Sequence, residues 1–404
     1  MTTGGASSDV AADLLIVGGG LAGVTVARAL RRAGDTRSIA MIGSETHRPY
    51  DRPPLSKQVL LQTMNLSETE LLQPGEETEL GLDLHLSSPG LRLRRDELTV
   101  EMPEGRAISA QDVVIASGAR PRHLPGVEPG PGIHYVRSRD DAERLREDLQ
   151  VHRPDGHVVV VGAGFIGLEV AAVARQMGCA VTVLESAALP LARVLGETAG
   201  QRVADLHRDH GVDLRCSVDV TGIRRDADTI CVDVAESETL RADIVIIGIG
   251  VNPCVRWLEG SGVATDNGVV CDAHGQSSRA HVWAAGDCAR WPNGATGLHV
   301  RVEQWQAALD QAQVVATNLV RASSGAPLES WTSVPYFWSD QYDVKMQFAG
   351  HSGLTHEVVG DAIGFRDGDR ATGLLTFDNP RLLARGRKVL ASGGTWAELA
   401  ALGN

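Results

Sequence analysis

Two glycine fingerprints of one type stand in the chain, Gly18-Gly19-Gly20-Leu21-Ala22-Gly23 and Gly162-Ala163-Gly164-Phe165-Ile166-Gly167. In such a run the first glycine permits a tight turn, the second lets a pyrophosphate approach the backbone, and the third lets a helix pack close to its strand. The phosphates then sit on the N-terminus of that helix. Each run is followed by a carboxylate near the end of the next apolar stretch, Glu45 after the first and Glu185 after the second, where an adenosine ribose would be held. Glu185 is followed by Ser186, Ala187 and Ala188, with no arginine at hand for a 2′-phosphate, so NADH is expected over NADPH. One fingerprint is weak; two imply two dinucleotides in one chain, the arrangement that passes a hydride from a nicotinamide to a flavin.

The elements that must position these residues are legible around them. Leu14–Val17 and Val158–Val161 read as buried parallel strands, and Val24–Arg32 and Leu168–Met177 as the helices that follow. Ile39–Ile42 and Ala180–Leu184 read as second strands, and Leu80–Val100 as further strands. Pro49-Tyr50-Asp51-Arg52-Pro53-Pro54-Leu55-Ser56-Lys57 reads as a shaped loop leading into a helix near Lys57, because paired prolines suit neither a helix interior nor a central strand. Val113–Gly118 and Asp243–Gly250 are matching apolar strands with small-residue ends, and Asp140–Leu149 and Thr198–His210 read as helices. Val282–Ala289 reads as a strand ending in Gly286-Asp287 at a helix start, and Val302–Arg321 as a long helix. Beyond the Ser323–Ala326 linker the pattern is mostly strand and turn.

Composition narrows the chemistry. With 404 residues and 43% hydrophobic content, two or three domains with real cores are expected. A net charge of −13 argues against nucleic-acid binding. No stretch approaches the roughly 20 apolar residues of a membrane span, and Met1–Ala12 lacks the basic and apolar parts of a signal peptide, so a cytoplasmic setting is expected. The six cysteines, Cys179, Cys216, Cys231, Cys254, Cys271 and Cys288, form no C-x-x-C pair, and Glu45–Leu61 contains none, which argues against a disulfide reductase. Lysine is scarce: Lys57, Lys345 and Lys388 are the only three.

Taken in order, Pro49–Lys57, Val161–Glu169, Ala285–Ala289, Arg301–Ala308 and Phe337-Trp338-Ser339-Asp340-Gln341-Tyr342 resemble the FAD-dependent, NADH-specific ferredoxin reductases of bacterial Rieske dioxygenase and haem monooxygenase systems. The resemblance implies an α/β fold of two Rossmann-like dinucleotide-binding domains, of glutathione-reductase type, with a small α+β C-terminal domain. The expected boundaries are 10–119 with 244–323 for FAD, 120–243 for NADH, and 324–404 for a C-terminal interface domain. The implied activity takes hydride from NADH onto FAD and passes single electrons to a two-iron ferredoxin that supplies an oxygenase.

The resemblance also distributes roles. Gly18, Gly20, Ala22 and Gly23 would face the FAD pyrophosphate, and Ser44 or Glu45 its ribose, a carboxylate being usual in the family at position 44. Gly90 would lend backbone to the adenine; Arg52, Ser117, Gly118, Arg137, Gly286, Asp287, Glu303 and Gln304 would contact the cofactor elsewhere. Trp305 would direct its backbone N–H at the flavin C2 carbonyl from a helix N-terminus. Gly162, Gly164, Phe165, Ile166, Gly167 and Glu185 would hold NADH, with Ile249 and Gly250 lining its nicotinamide side. Lys57 and Glu169 would meet near the flavin N5, and Trp338 would stand against the isoalloxazine. Arg381, Arg385, Arg387 and Lys388 read equally as a docking patch for an acidic ferredoxin or as a solvated helix face. A rubredoxin reductase or NADH oxidase of the same fold, a nitrite-reductase flavoprotein, and a redox-sensing signalling flavoprotein of apoptosis-inducing-factor type are the alternatives. Monomer and homodimer both remain open.

Overall fold

A computed structural model describes residues 10–226, 229–235, 238–293, 298–353 and 355–403. Most of the Met1–Ala12 stretch read for a signal peptide therefore lies outside the described residues. By internal contacts the chain divides into two compact units, one of residues 1–51, 69–120 and 252–333, the other of residues 52–68, 121–251 and 334–404.

The first unit is built on a twisted sheet in the spatial order Leu82–His85, Ile39–Ile42, Val10–Val17, Ala107–Ile115, Thr99–Glu101, Arg92–Leu93. Val10–Val17 runs parallel to both its neighbours, and Val282–Ala284 returns to pair in parallel with Ala107–Ile115. Burial on both faces explains the unbroken apolar runs: Leu14, Leu15, Ile16, Ile39, Met41 and Val113–Ile115 are all within the core. The helices Leu21–Arg32 and Trp305–Ser324 pack on this sheet and on each other.

The second unit repeats the theme with a parallel sheet ordered Asp213–Cys216, Ala180–Glu185, His157–Val161, Ile244–Ile247, Ile133–His134. The helices Phe165–Gln176 and Ala192–Asp209 follow its strands, the second interrupted at Gly196. Residues 334–403 add an antiparallel five-stranded sheet, ordered Tyr336–Gln341, Val344–Gly350, Arg370–Phe377, Ala362–Asp367, Thr355–Val359. Its first strand packs against the helix Phe165–Gln176, where Phe337 meets Phe165 edge-on at 4.7 Å. The helix Pro380–Ala391 covers the sheet.

Several elements differ from expectation. Lys57 is not followed by a helix: Pro53–Ser56 forms one 3₁₀ turn, and Lys57 leaves helical geometry at φ −134° and ψ −95°. Proline can open such a turn, but without an N–H it cannot extend a hydrogen-bonded ladder back. Gly286-Asp287 does not start a helix either; a turn closed by the Ala289 N–H on the Gly286 carbonyl leads into the strand Ala289–Pro292. The long helix begins at Trp305, after the strand His299–Arg301; the C-terminal region carries helices beside its strands, as its α+β reading has it. Ile244–Ile247, expected with the first domain from residue 244 on, pairs with His157–Val161 in the second unit. Its apolar sequence suits any doubly covered strand, so only pairing could place it.

Three histidines of the second unit, His134, His207 and His351, have their pKa lowered chiefly by burial, that of His207 to about 4. The unfolded chain binds protons at these rings near pH 6.5 while the folded one does not. Stability present above that pH is therefore lost as pH falls from about 6.5 toward 4, by about 3 kcal/mol for His207. A melting-temperature series should show this acid loss, and His207→Gln should flatten part of it; an unchanged slope would contradict the buried neutral assignment.

Candidate functional site: two nucleotide cradles and a buried ion pair

In each unit the fingerprint occupies the turn from the central strand into its helix, and the glycines divide into two kinds. A Cβ at Gly18 would stand 2.0 Å from the Ala116 carbonyl oxygen, and one at Gly23 would stand 2.1 Å from that of Gly18. Gly162 and Gly167 repeat this, at 2.5 Å from the Gly248 oxygen and 2.3 Å from that of Gly162. The fold itself therefore requires the outer glycines. The middle ones it does not: a Cβ at Gly20 would meet nothing within 4 Å, and one at Gly164 only an ordinary contact at 3.7 Å. Their backbones, at φ −97° and −80°, are open to any residue. A bare backbone facing open space is what a pyrophosphate needs.

The helix ends agree. Ser138 and Asp141 close a reciprocal capping box on the helix Arg139–His152, and Asn379 caps Pro380–Ala391. The helices starting at Leu21 and Phe165 have no side-chain cap and no acid in the first turn, so the positive end of each macrodipole is left for an anion.

Around the first cradle, Gly286 brings its Cα side against Ala22, where an added Cβ would lie 3.2 Å from the alanine methyl. Buried Gln311 accepts from the Gly286 N–H at 3.0 Å, and Arg301 donates to the Asp287 carbonyl at 3.1 Å while pairing with Glu303. Gln311 and Arg301 were missed as positioning residues; a polar residue inside an apolar helix face was the signal for the former. Trp305 is the first residue of its helix, after an uncapped Gln304 whose buried Oε1 has no hydrogen-bond partner among the described residues. Its indole donates to Asp51 at 2.7 Å. The Ser117 hydroxyl is committed to the Cys254 carbonyl, at 2.7 Å, and Gly118 follows at φ +67°. Gly90 abuts Val17 and Val100. Open turn, uncapped helices and an orphaned polar atom fit a flavin dinucleotide.

The two acidic positions are not equivalent. The Gly18 N–H bonds the Ile42 carbonyl and the Gly162 N–H that of Leu184, each at 2.8 Å, so the register partner of Glu185 is Gly43. Glu185 accepts from the Ala163 N–H at 2.7 Å and from the Ala187 N–H at 2.8 Å, holding its own fingerprint turn. Glu45 lies two residues further on and takes a short hydrogen bond from Tyr50, while Ser44 is exposed.

In the second unit Lys57 and Glu169 meet as expected. Lys57 Nζ lies 3.1 Å from Glu169 Oε1, and the residues are 7% and 5% exposed. Two unforeseen hydroxyls complete the carboxylate: Ser56 donates to Oε2 at 2.5 Å and Ser339 to Oε1 at 2.7 Å. A carboxylate this deep needs such donors, because its ion pair alone does not offset desolvation. Ser339 was signalled by alternation, as a polar residue on the buried face of the strand Tyr336–Gln341. Phe165 is half-buried and Ile166 lies at the surface. Ile249 is half-buried; the Gly250 carbonyl accepts from the Arg122 N–H. Arg52 and Arg137 come together, the guanidinium of the first donating to the carbonyl of the second at 2.6 Å. Trp338 stacks on Tyr336, and Arg387 lies over that tyrosine at 4.9 Å, so one member of the basic cluster serves packing.

None of the six cysteines forms a disulfide. Burial pushes the Cys179 and Cys216 thiols up, Cys288 to about 11 and Cys271 further still, so none of these four is a ready thiolate.

Fold and site together define a two-dinucleotide oxidoreductase without a redox disulfide. The chain belongs to the pyridine nucleotide-disulphide oxidoreductase family, matched over residues 12–312, and residues 336–402 match the reductase C-terminal family. Rhodocoxin reductase of Rhodococcus erythropolis is 37% identical over 393 residues, 94% of this chain and 89% of that protein. The anthranilate 1,2-dioxygenase system ferredoxin–NAD(+) reductase component of Burkholderia cepacia is 36% identical over 350 residues, 86% of this chain and 84% of that protein. Among solved structures, the covalent putidaredoxin reductase–putidaredoxin complex superposes with a TM-score of 0.88 at 32% identity, covering 96% of this chain and 94% of the matched one. The chain is thus an oxidoreductase of FAD and NAD(H).

Two substitutions separate ligand from fold. Gly20→Val should leave the melting temperature of the FAD-free protein within about a degree while weakening flavin binding by about two orders of magnitude, since only the ligand needs that space. Flavin fluorescence titration checks it. Glu185→Ala should shrink the preference for NADH over NADPH by about ten- to a hundredfold, the worth of a hydrogen bond to a charged group; kcat/KM for both nucleotides is the measure.

Proposed function

We propose that this protein oxidises NADH and passes the electrons singly, through bound FAD, to a two-iron ferredoxin that supplies an oxygenase. The observation that carries this reading is the pairing of two ligand-ready fingerprints with cysteines that form no disulfide and whose thiols, where shifted, are less acidic. Electrons entering from a nicotinamide then have no disulfide to leave by. The names of the full-length relatives, ferredoxin–NAD(+) reductase component and rhodocoxin reductase, support an iron–sulfur acceptor.

FAD, when bound, supplies the chemistry, accepting a hydride as a pair of electrons and releasing them one at a time. The chain binds, orients and screens. The first unit holds FAD through the backbone at Gly18, Gly20, Ala22 and Gly23, with Asp287, Gln304 and the helix end at Trp305 placing its polar groups. Either Ser44 or Glu45 meets the ribose. The second unit holds NADH through Gly162–Gly167, and Glu185 selects it over NADPH. Lys57, held in place by Glu169, serves the reduction of the flavin; no side chain is required as nucleophile or general base. Residues 334–403 form the interface region, where exposed Arg381, Arg385 and Lys388 suit an acidic acceptor. Six cysteines without a disulfide suit the reducing cytoplasm.

The deciding measurement is NADH-driven cytochrome c reduction by the flavin-loaded protein, with and without a two-iron ferredoxin. A rate that rises at least tenfold with ferredoxin is expected. Rapid oxygen consumption without that dependence would instead establish an oxidase, and near-silence in both a signalling flavoprotein. Lys57→Ala should slow flavin reduction by NADH in stopped flow by about a hundredfold, the scale of a lost charge-assisted contact; a wild-type rate would remove its role.

A further inference from the structure

Glu169 is the inner end of a longer buried chain within the second unit. Ser339 Oγ, 2.7 Å from its carboxylate, takes a hydrogen bond from Gln341 Nε2 at 3.1 Å. Gln341 Oε1 lies 2.9 Å from His207 Nε2, and His207 Nδ1 lies 3.1 Å from the Tyr342 hydroxyl. Ser339, Gln341 and His207 are 0–1% exposed. The chain runs from the fingerprint helix, across the first strand of the C-terminal sheet, to the helix Ala192–Asp209.

Its polarity is forced from the carboxylate outward. An ionised Glu169 only accepts, so Ser339 must give it its single proton. The Ser339 oxygen must then be met by a donor, which orients the Gln341 amide with Nε2 inward and Oε1 outward. That oxygen requires a proton on His207 Nε2, and the remaining nitrogen accepts from Tyr342 O–H. Reversing the amide would set two acceptors face to face at 2.7 Å, at Ser339 and Glu169. Burial keeps His207 neutral, so a single tautomer fits.

A second observation shows that the outer end is held deliberately. Tyr342 is the first residue of a two-residue hairpin loop, between Gln341 and Val344 in register, and its φ is +59°. Hairpins normally give that position to glycine, and a bulky residue there is strained. Such strain persists only where the surroundings over-determine it. Here the ring stacks on His210 at 3.7 Å and its hydroxyl closes on His207.

We propose that His207 is a positioning residue for Lys57 and Glu169, acting through Gln341 and Ser339 to lock the orientation of the Glu169 carboxylate, with Tyr342 as the strained outer clamp. An amide at the middle of the chain orients but does not readily pass protons, so the chain holds the pair rigid instead of connecting it to solvent. This rests on the reading of Lys57 and Glu169 as the residues that serve flavin reduction.

The test has two arms. With ¹⁵N-histidine labelling of the FAD-free protein, the His207 signal, assigned by its loss in His207→Gln, should report protonated Nε2 and bare Nδ1. Ser339→Ala releases the amide and should turn that signal into a mixture of tautomers. In the flavin-loaded protein, His207→Leu should slow reduction by NADH about tenfold with NADH affinity changed less than twofold. His207→Gln, which can return a donor at the Nε2 position, should recover most of that loss, and Tyr342→Asn, whose backbone accepts the turn, should fold normally and fall in between. A tautomer indifferent to Ser339→Ala, or equal rates in His207→Leu and wild type while Lys57→Ala is slow, would overturn the positioning role. If Lys57→Ala itself keeps the wild-type rate, the functional reading of the pair fails, and the role proposed for His207 falls with it whatever the labelling shows.

Discussion

A carboxylate removed from water dictates its surroundings. Glu169 lies on the first turns of the helix that follows the second fingerprint, 5% exposed, and such a group survives ionised only when its oxygens are filled by donors. The filling comes from two distant stretches of chain: Ser56 and Lys57 from the proline loop, Ser339 from the C-terminal sheet. Each has to be delivered by its own backbone, which gives the 3₁₀ turn Pro53–Ser56 and the polar face of Tyr336–Gln341 their purpose.

The two nucleotide cradles show how much of a shared motif belongs to folding and how much to binding. The outer glycines are needed by close backbone approaches to Ala116, Gly18, Gly248 and Gly162, and would be needed with no ligand in view. The middle glycine of each pattern, Gly20 and Gly164, is not required by the protein, and it therefore speaks for a ligand. The cradles part company at the next strand, where Glu185 supports its turn directly and Gly43 occupies the matching place in the first. A carboxylate that already grips the turn is pre-oriented for a ribose.

The parallel strands, their helices and the two fingerprints were legible because one covered strand and one amphipathic helix each declare themselves within about ten residues. Lys57 and Glu169 were singled out, but only as members of motifs; nothing local says that residues so far apart will touch. Ser339 and Gln341 stood in a segment that carried the resemblance but were given no role, and His207 was passed over, because a single serine, glutamine or histidine is ordinary in a polar-looking segment. Alternation across Tyr336–Gln341 held the clue, with polar residues at 339 and 341 on the buried face.

Other departures have the same origin. The helix read near Lys57 and the helix read at Asp287 were local inferences, undone by paired prolines in one case and by strand pairing after a glycine turn in the other. Ile244–Ile247 could have joined either sheet on sequence grounds. By itself the sequence determined the periodic elements, the two glycine turns and the absence of a C-x-x-C pair, because these rest on residue type and short spacing. The tertiary structure alone decided which sheet each buried strand enters, which hydroxyls satisfy Glu169 and which way the Gln341 amide points. Those outcomes depend on hydrogen bonds between residues over a hundred positions apart, whose formation is governed by burial and not by any local propensity.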